Sequence, residues 1–288
     1  MTSPLEGKRL AVIGDPIEHS LSPVIQQAML DALALPCSYG RIRVPAGTVG
    51  KWLPEAEAQG LAGFNATMPH KTDLVSLMDE LSEDARMYRS VNTVVLRDGR
   101  RLGFNTDGEG FLRSLKDEGI EPVGRHAVVL GAGGASRSVV LKLASSGAAR
   151  ISVCCRTPEK ARALQDSSSV VRVLDFSRDS MEAVLPEADL LINCTPLGLQ
   201  GVDADFEAFD FLDLLPATAS VCDLIYRPLK TNLLLHAERR GLHAMNGLGM
   251  LIHQAILALE HFSGMELDSA SMKAAVMKRL LPELEKGR

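Results

Sequence analysis

The stretch A-V-V-L-G-A-G-G-A-S-R-S-V-V-L-K-L, residues 127 to 143, sets an apolar run, a cluster of glycines and a helix-period segment in immediate succession. Gly131, Gly133 and Gly134 follow the run, and Val139, Val140, Leu143 and Ala144 then recur at helical spacing. Glycine is required where a backbone turns tightly off a strand and approaches a pyrophosphate, because a Cβ would intrude. The free amides and positive dipole end of the helix then hold phosphate. The stretch therefore reads as a dinucleotide-binding βαβ unit, with Gly131, Ala132, Gly133, Gly134 and Ala135 in the turn. An ordinary strand-to-helix turn shares part of this pattern, and Ser136 stands where the sixth position of the motif is usually glycine or alanine.

The next strand supplies a second criterion, for it ends at Cys155-Arg156-Thr157. A site for an unphosphorylated ribose usually places an acidic side chain there to accept hydrogen bonds from the hydroxyls. None is present. Arg156 stands at the strand end instead, with Lys160 and Arg162 behind it on a helix that Thr157 can cap and Pro158 can start. Cationic groups at this place suit a ribose phosphate. A preference for NADP over NAD, without exclusion of NAD, is expected, and with it a nicotinamide oxidoreductase. Solvated helix charge is the competing reading; it fits Arg162 best and Arg156 least.

The 288 residues, 46% hydrophobic and 23% charged, suffice for one large or two medium domains. A net charge of -5 with scattered Lys and Arg argues against nucleic acid and anionic membrane as partners. The opening MTSPLEGKRLAVIG has no basic segment followed by an apolar run, and nowhere do about 18 apolar residues follow one another, so a cytoplasmic location is expected. Of the five cysteines two are adjacent (Cys154, Cys155) and none form a C-x-x-C pair, which suits small buried residues better than a disulfide framework or a zinc site. His19 and His70 lie outside any cluster at ligand spacing, and no metal is expected.

Apolar runs alternate with helix-period segments throughout, the pattern of an α/β protein. Strands are expected at 9–13, 38–44 and 63–67, with helices at 23–33 and 48–59 between them. Residues 92–97 and 101–105 flank Asp98-Gly99, a dipeptide suited to a tight hairpin, which is expected to close the first sheet. After a helix at 108–118 the punctuation of Gly119, Pro122 and Gly124 precedes a second sheet, with strands at 127–130, 150–155, 170–174, 190–194 and 220–224. Helices follow at 250–262 and 269–284. Two domains are expected, 1–107 and 108–253, with the segment from about 254 to 288 able to pack back on the first.

In the first domain polar residues gather at strand ends, where open α/β sheets place their chemistry. The blocks are G-D-P-I-E-H-S-L-S-P (14–23), G-F-N-A-T-M-P-H-K (63–71), S-V-N-T (90–93) and G-F-N-T-D-G (103–108). Together with G-A-G-G-A-S-R, L-I-N-C-T-P-L-G, C-D-L-I-Y-R-P-L-K-T and N-G-L-G-M-L-I-H-Q-A further on, the chain resembles the shikimate dehydrogenase family over nearly its whole length. The resemblance implies two α/β domains, an N-terminal substrate domain with a mixed sheet and a Rossmann-type NADP-binding domain, with the active site in the cleft between them. It implies a biosynthetic reductase of the route to chorismate and the aromatic amino acids, interconverting 3-dehydroshikimate and shikimate with NADPH. A small-molecule substrate and a monomer or homodimer go with it.

By the same resemblance Lys71 and Asp107 are the catalytic pair, and Ser20 and Ser22 bind the substrate carboxylate. Asn65, Thr67, Asn92 and Gln254 hydrogen-bond the ring hydroxyls, Tyr226 lies near the carboxylate, and Thr195, Gly247 and Met250 join the cofactor site. The chemistry is consistent: hydride reaching a ketone carbon leaves an alkoxide that needs a proton, and a lysine in a partly dry cleft is suited to proton transfer. Neutral amides and hydroxyls suit a polyol. Read locally, Lys71 is also an ordinary surface lysine, Asp107 a helix N-cap, and Ser20 and Ser22 turn residues before Pro23.

The chain departs from the family pattern at Gln26, Arg89-Ser90, Cys155 and Asn246, where histidine, Gly-Ala, asparagine and aspartate are usual. Alternatives are a quinate/shikimate or aminoshikimate dehydrogenase paralogue, a non-catalytic NADP-binding sensor, and a folate or amino-acid dehydrogenase of related plan.

Overall fold

The structure, a computed structural model, describes residues 5–285. The first elements are β1 (Arg9–Gly14), α1 (Ser22–Ala32), β2 (Ser38–Arg43), α2 (Val49–Ala58), β3 (Leu61–Ala66), β4 (Glu80–Leu81), α3 (Glu83–Tyr88), β5 (Thr93–Arg97), β6 (Arg100–Phe104) and α4 (Asp107–Asp117). They are followed by β7 (His126–Leu130), α5 (Gly134–Ser145), β8 (Arg150–Cys155), α6 (Pro158–Gln165), β9 (Val171–Asp175), α7 (Arg178–Val184) and β10 (Leu190–Asn193). The chain ends with β11 (Ser220–Asp223), α8 (Asn232–Arg239), β12 (His243–Met245), α9 (Leu248–Ser263) and α10 (Ser269–Glu285). Contacts divide it into two units, one holding the residues up to Gly110 and those from Ile252 onward, the other Phe111–Leu251.

The first unit is built on a mixed sheet of order β2-β1-β3-β5-β6-β4. β1 runs parallel to β2 and β3, so that Val12 pairs with both Arg41 and Asn65, whereas β5 is antiparallel to β3 and β6. One face packs Ala11, Ile13, Phe64, Ala66 and Val94 against Leu53 and Leu74, with Trp52 edge-on to Phe64. Each fully buried Ile, Leu, Val or Phe among them contributes about 1.5–3 kcal/mol. The hairpin between β5 and β6 turns on Asp98 and Gly99, both at positive φ (+53° and +72°), as a two-residue turn requires.

That hairpin does not close the sheet, contrary to the sequence-based expectation, because β4 adds beyond β6 in parallel. Two residues inside the polar run E-L-S-E-D are too few for alternation to show. Tertiary packing makes the strand: a Cβ on Gly103 would lie 2.7 Å from Met78 Cγ and 2.9 Å from Leu81 Cδ2, so only glycine lets this edge approach. The chain's last segment returns to the same unit. A Cβ on Gly63 of β3 would meet the Phe262 ring at 2.8 Å, so α9 lies directly on the strand, and α10 pairs with α1 through Arg279 and Asp31.

The second unit has six parallel strands in the order β12-β11-β10-β7-β8-β9. All residues of β7 and β10 are buried, as expected of parallel strands covered on both faces. Progression runs outward from β7 to β9 on one side and from β10 to β12 on the other. The adjacent strands β7 and β10 therefore form the topological switch point, where α/β sheets bind ligands beyond the carboxyl ends of the strands. Gly131 follows β7, and Thr195 stands just past β10. The edge strand β12 escaped the sequence reading because three residues carry no periodicity. No helix among the described residues is long and apolar enough to cross a membrane.

Candidate active site

In the first unit Lys71 Nζ donates to Asp107 Oδ2 at 2.6 Å, and Asn92 Nδ2 donates to the other carboxylate oxygen at 2.8 Å. The loop carrying Lys71 is fastened by the Val91 N–H, which donates to the Lys71 carbonyl at 2.8 Å and so ties it to the residue beside Asn92. The Lys71 side chain keeps 23% of its surface exposed while that of Asp107 keeps 8%; the ammonium is reachable by a ligand and the carboxylate is the buried anchor.

Asp107 is the first residue of α4. Asn105 leads into it, its Oδ1 accepting from the Asp107 N–H at 3.1 Å while its Nδ2 donates to the Ser90 carbonyl at 2.9 Å. The Asp107 carboxylate faces Lys71 and Asn92. Asn65, buried on β3, donates to the Asn92 carbonyl (3.2 Å) and to Thr93 Oγ1 (2.9 Å).

The Ser20 hydroxyl donates to Ser22 Oγ at 3.2 Å and accepts from the Ser22 N–H at 3.3 Å, so the two hydroxyls converge and also close the turn ahead of Pro23. Gly14, which opens this loop, has no room for a side chain: a Cβ would lie 2.6 Å from Thr67 Cγ2. The serine loop is thereby held against the Thr67 loop. Gln254 on α9 stands where a Cβ on Gly110 would come within 2.7 Å of its backbone nitrogen. His70 is buried, with Nε2 donating to the Val44 carbonyl at 2.8 Å. Arg89 takes a left-handed φ of +50° at the end of α3, the conformation for which glycine is suited, while Gln26 donates to the Ala255 carbonyl at 2.9 Å.

In the second unit Gly131 has φ +96°, and a Cβ there would strike Thr195 Cγ2 at 2.9 Å. Cβ atoms on Gly133 and Gly134 would meet nothing within 4 Å, and Ala132 is exposed, so the turn leaves open space before α5 with Ala135 at its first turn. The departure at Ser136 has a local explanation: its hydroxyl donates to the Gly131 carbonyl at 2.7 Å and closes the turn. Arg156 and Thr157 are exposed at the end of β8. Thr157 occupies the N-cap position of α6 but makes no side-chain cap bond among the described residues, a correction to the expected cap; its backbone N–H serves the buried Cys155 thiol. The Lys160 side chain lies outside the described residues.

Tyr226 and Met250, both half-buried, and Gly247 also belong to this unit. Burial raises the Tyr226 phenol above its usual range, partly offset by Arg227. A Cβ on Gly247 would lie 1.9 Å from the Leu224 carbonyl oxygen. Asn246 plays two parts, its Oδ1 accepting from the Leu248 N–H (3.0 Å) at the start of α9 and its Nδ2 donating to the Leu229 carbonyl (2.9 Å).

Sequence reasoning missed several supporting residues. Asn193 accepts from the Thr195 N–H (2.9 Å) and hydroxyl (2.7 Å), and the buried Asp223 accepts from Asn193 (3.0 Å) and from the Thr231 hydroxyl (2.6 Å). Burial pushes the Asp223 carboxyl up to about 6 against these donors. In the first unit Tyr39, Thr93, Asn105 and Thr106 were missed. The Asn-Thr-Asp triplet at 105–107 is a usable turn signal; Tyr39 has none.

Three family models match the chain. One described as shikimate dehydrogenase substrate binding domain covers residues 12–94, one described as shikimate / quinate 5-dehydrogenase covers 117–198, and one described as shikimate 5'-dehydrogenase C-terminal domain covers 247–277. A Symbiobacterium thermophilum protein named shikimate dehydrogenase (NADP(+)) is 40% identical over 285 residues, 97% of each chain. The crystal structure of Thermus thermophilus shikimate 5-dehydrogenase in complex with NADP(H) and shikimate matches with a TM-score of 0.83 and 37% identity, covering 95% of this chain and 100% of that one. A ligand-free 5-ketofructose reductase of a Gluconobacter species matches at 0.82 and 30% identity over 94% of this chain and 98% of that one.

Proposed function

The chain belongs to the shikimate dehydrogenase family, and from that premise we propose that it reversibly reduces 3-dehydroshikimate to shikimate with NADPH. The observation that carries this reading is the Lys71 ammonium 2.6 Å from one oxygen of a carboxylate whose other oxygen is held by Asn92. An ammonium so placed can give a proton to the oxygen left when hydride adds to the ketone carbon, and can receive it in reverse. Asp107 keeps the lysine in register, and its burial fixes the direction of the pair. General acid–base help of this kind is worth about 10²- to 10⁴-fold in rate.

The residues of the second unit fit NADP. The open space at Gly133 and Gly134 before α5 suits a pyrophosphate, and Arg156, exposed where an acid would serve NAD, suits the ribose phosphate. When bound, the cofactor supplies the hydride. Thr195, Gly247 and Met250 complete its proposed surroundings, with Asn193 orienting Thr195. On the substrate side, the Ser20 and Ser22 hydroxyls turn to a carboxylate, while Asn65, Thr67, Asn92 and Gln254 serve ring hydroxyls and Tyr226 the carboxylate end. A site that pairs each polar group rejects analogues lacking a hydroxyl.

A monomer or homodimer of this chain is part of the same proposal. Its five free cysteines accord with a reducing, cytoplasmic compartment. The test is an initial-rate panel of shikimate, quinate and aminoshikimate with NADP and NAD, together with 5-ketofructose and NADPH. Shikimate with NADP should give the highest kcat/KM. A higher value for quinate with NAD, or for 5-ketofructose, would reassign the substrate.

A further inference from the structure

A chain of hydrogen bonds runs through the first unit from Tyr39 on β2 to Asp107, and its direction is set by two backbone groups. The Thr106 N–H can only donate, and it lies 3.0 Å from one terminal atom of Asn92, which is therefore Oδ1. The other terminal atom is the amide nitrogen, donating to Asp107 Oδ1 at 2.8 Å and Thr106 Oγ1 at 2.9 Å. Likewise the Asn92 carbonyl can only accept, and it lies 3.2 Å from the Asn65 atom that must be Nδ2.

Thr93 Oγ1 sits between these two amides, 2.9 Å from each, and so accepts from Asn65 Nδ2 and donates to Asn92 Oδ1. That leaves Asn65 Oδ1 facing the Tyr39 hydroxyl at 2.7 Å, where the phenol has to be the donor. Every member is buried, from Tyr39 (7%) through Asn65 (7%), Thr93 (0%) and Asn92 (2%) to Asp107 (6%). Burial also holds the phenol proton far above its usual range, so Tyr39 remains a donor wherever the enzyme is assayed. Its own strand is anchored by Gln27, whose Oε1 accepts from the Tyr39 N–H at 3.0 Å.

We propose that Tyr39 is a positioning residue for the reaction: by donating to Asn65 it orients Asn65, Thr93 and Asn92 in turn, and so fixes the carboxylate of Asp107 against Lys71. This rests on the functional reading above. Without the phenol hydroxyl Asn65 Oδ1 loses the donor it has here, and the amide is held only through its Nδ2 bonds to the Asn92 carbonyl and Thr93 Oγ1. The loosened amide holds Thr93 Oγ1 less firmly, and with it weakens the Thr93 bond to Asn92 Oδ1 that helps aim the Asn92 amide at Asp107. In a buried network each link strengthens the next, so a loss at the far end reaches the ion pair.

The test uses the full-length protein with Tyr39→Phe, Thr93→Val and the double variant. Tyr39→Phe should lower kcat by about 5- to 10-fold, the worth of one net hydrogen bond. KM for shikimate should rise by no more than kcat falls, since Tyr39 reaches the substrate only through Asn65 and Asn92. The acidic limb of the kcat profile should move by about half a pH unit or more. Because both substitutions cut the same line, the double variant should be no slower than the slower single variant.

A second measurement does not depend on turnover. Competitive acetylation of Lys71 across a pH series, read by mass spectrometry, should give a displaced profile in Tyr39→Phe. An unchanged kcat with an undisplaced Lys71 profile would overturn the proposal, even if the melting temperature fell. Additive losses in the double variant would overturn it as well. If the unaltered protein failed to turn over shikimate while the Lys71 profile still moved, the functional reading would fall and the relay would stand.

Discussion

Lys71 and Asp107 meet at 2.6 Å although 36 positions separate them in the chain. The lysine hangs from the loop after β3 and the aspartate opens α4, and the antiparallel strands β5 and β6 between them bring the two loops to the same edge. The pairing is therefore a product of the sheet and not of either loop alone.

Lys71→Ala should lower kcat by about 10²- to 10⁴-fold while shikimate binding, followed by calorimetry, remains measurable. Retention of full turnover would remove the lysine from the mechanism.

Arg156 is exposed where β8 ends, with no acid beside it in the chain to read a bare ribose. Arg156→Ala should reduce the kcat/KM preference for NADP over NAD by about 10- to 100-fold, the worth of a charge-assisted hydrogen bond to phosphate. A variant with its preference intact would place phosphate recognition elsewhere.

Two glycines of the second unit should separate folding from cofactor binding. A Cβ at Gly247 would lie 1.9 Å from the Leu224 carbonyl oxygen and 2.4 Å from its carbon, backbone atoms that cannot swing aside. Gly247→Ala should cost about 3 kcal/mol and lower the melting temperature by several degrees. A Cβ at Gly133 would meet nothing within 4 Å. Gly133→Ala should melt like the unaltered protein yet raise KM for NADPH, and a lowered melting temperature would contradict the assignment of that space to the cofactor.

Asp223 makes stability depend on pH. Burial raises its folded carboxyl to about 6, above the ordinary value near 3.8. The folded protein thus binds this proton more tightly than the unfolded chain does, so the stabilisation is complete below about pH 4 and is lost as pH rises through about 6. About two pH units correspond to about 3 kcal/mol. Asp223→Asn cannot titrate, so the melting temperature of the variant minus that of the unaltered protein should climb between pH 4 and pH 7. A level difference would show that the carboxylate is charged throughout.

Much of this molecule was legible before folding was considered. The β7–α5 turn, the Arg156 strand end and the Asp98-Gly99 hairpin are local: glycine, proline and short periodicities act over a few residues, and their physics is the same in any chain. The polar blocks around Ser20, Asn65, Asn92 and Asp107 were legible as well, because they lie at the ends of strands that the alternation marks out.

What the sequence by itself determined is the order of the elements, the α/β class and the residue types available at each strand end. Tertiary structure alone decided that β4 rather than the hairpin edges the first sheet, that α9 lies on Gly63, that Asn105 ties Asp107 to Ser90, and that Tyr39 reaches Asn65. The reason is physical. Each of these depends on partners that the chain's local pattern does not name, and a hydrogen-bond donor or a missing Cβ acquires its meaning only from what the fold places within about 3 Å of it.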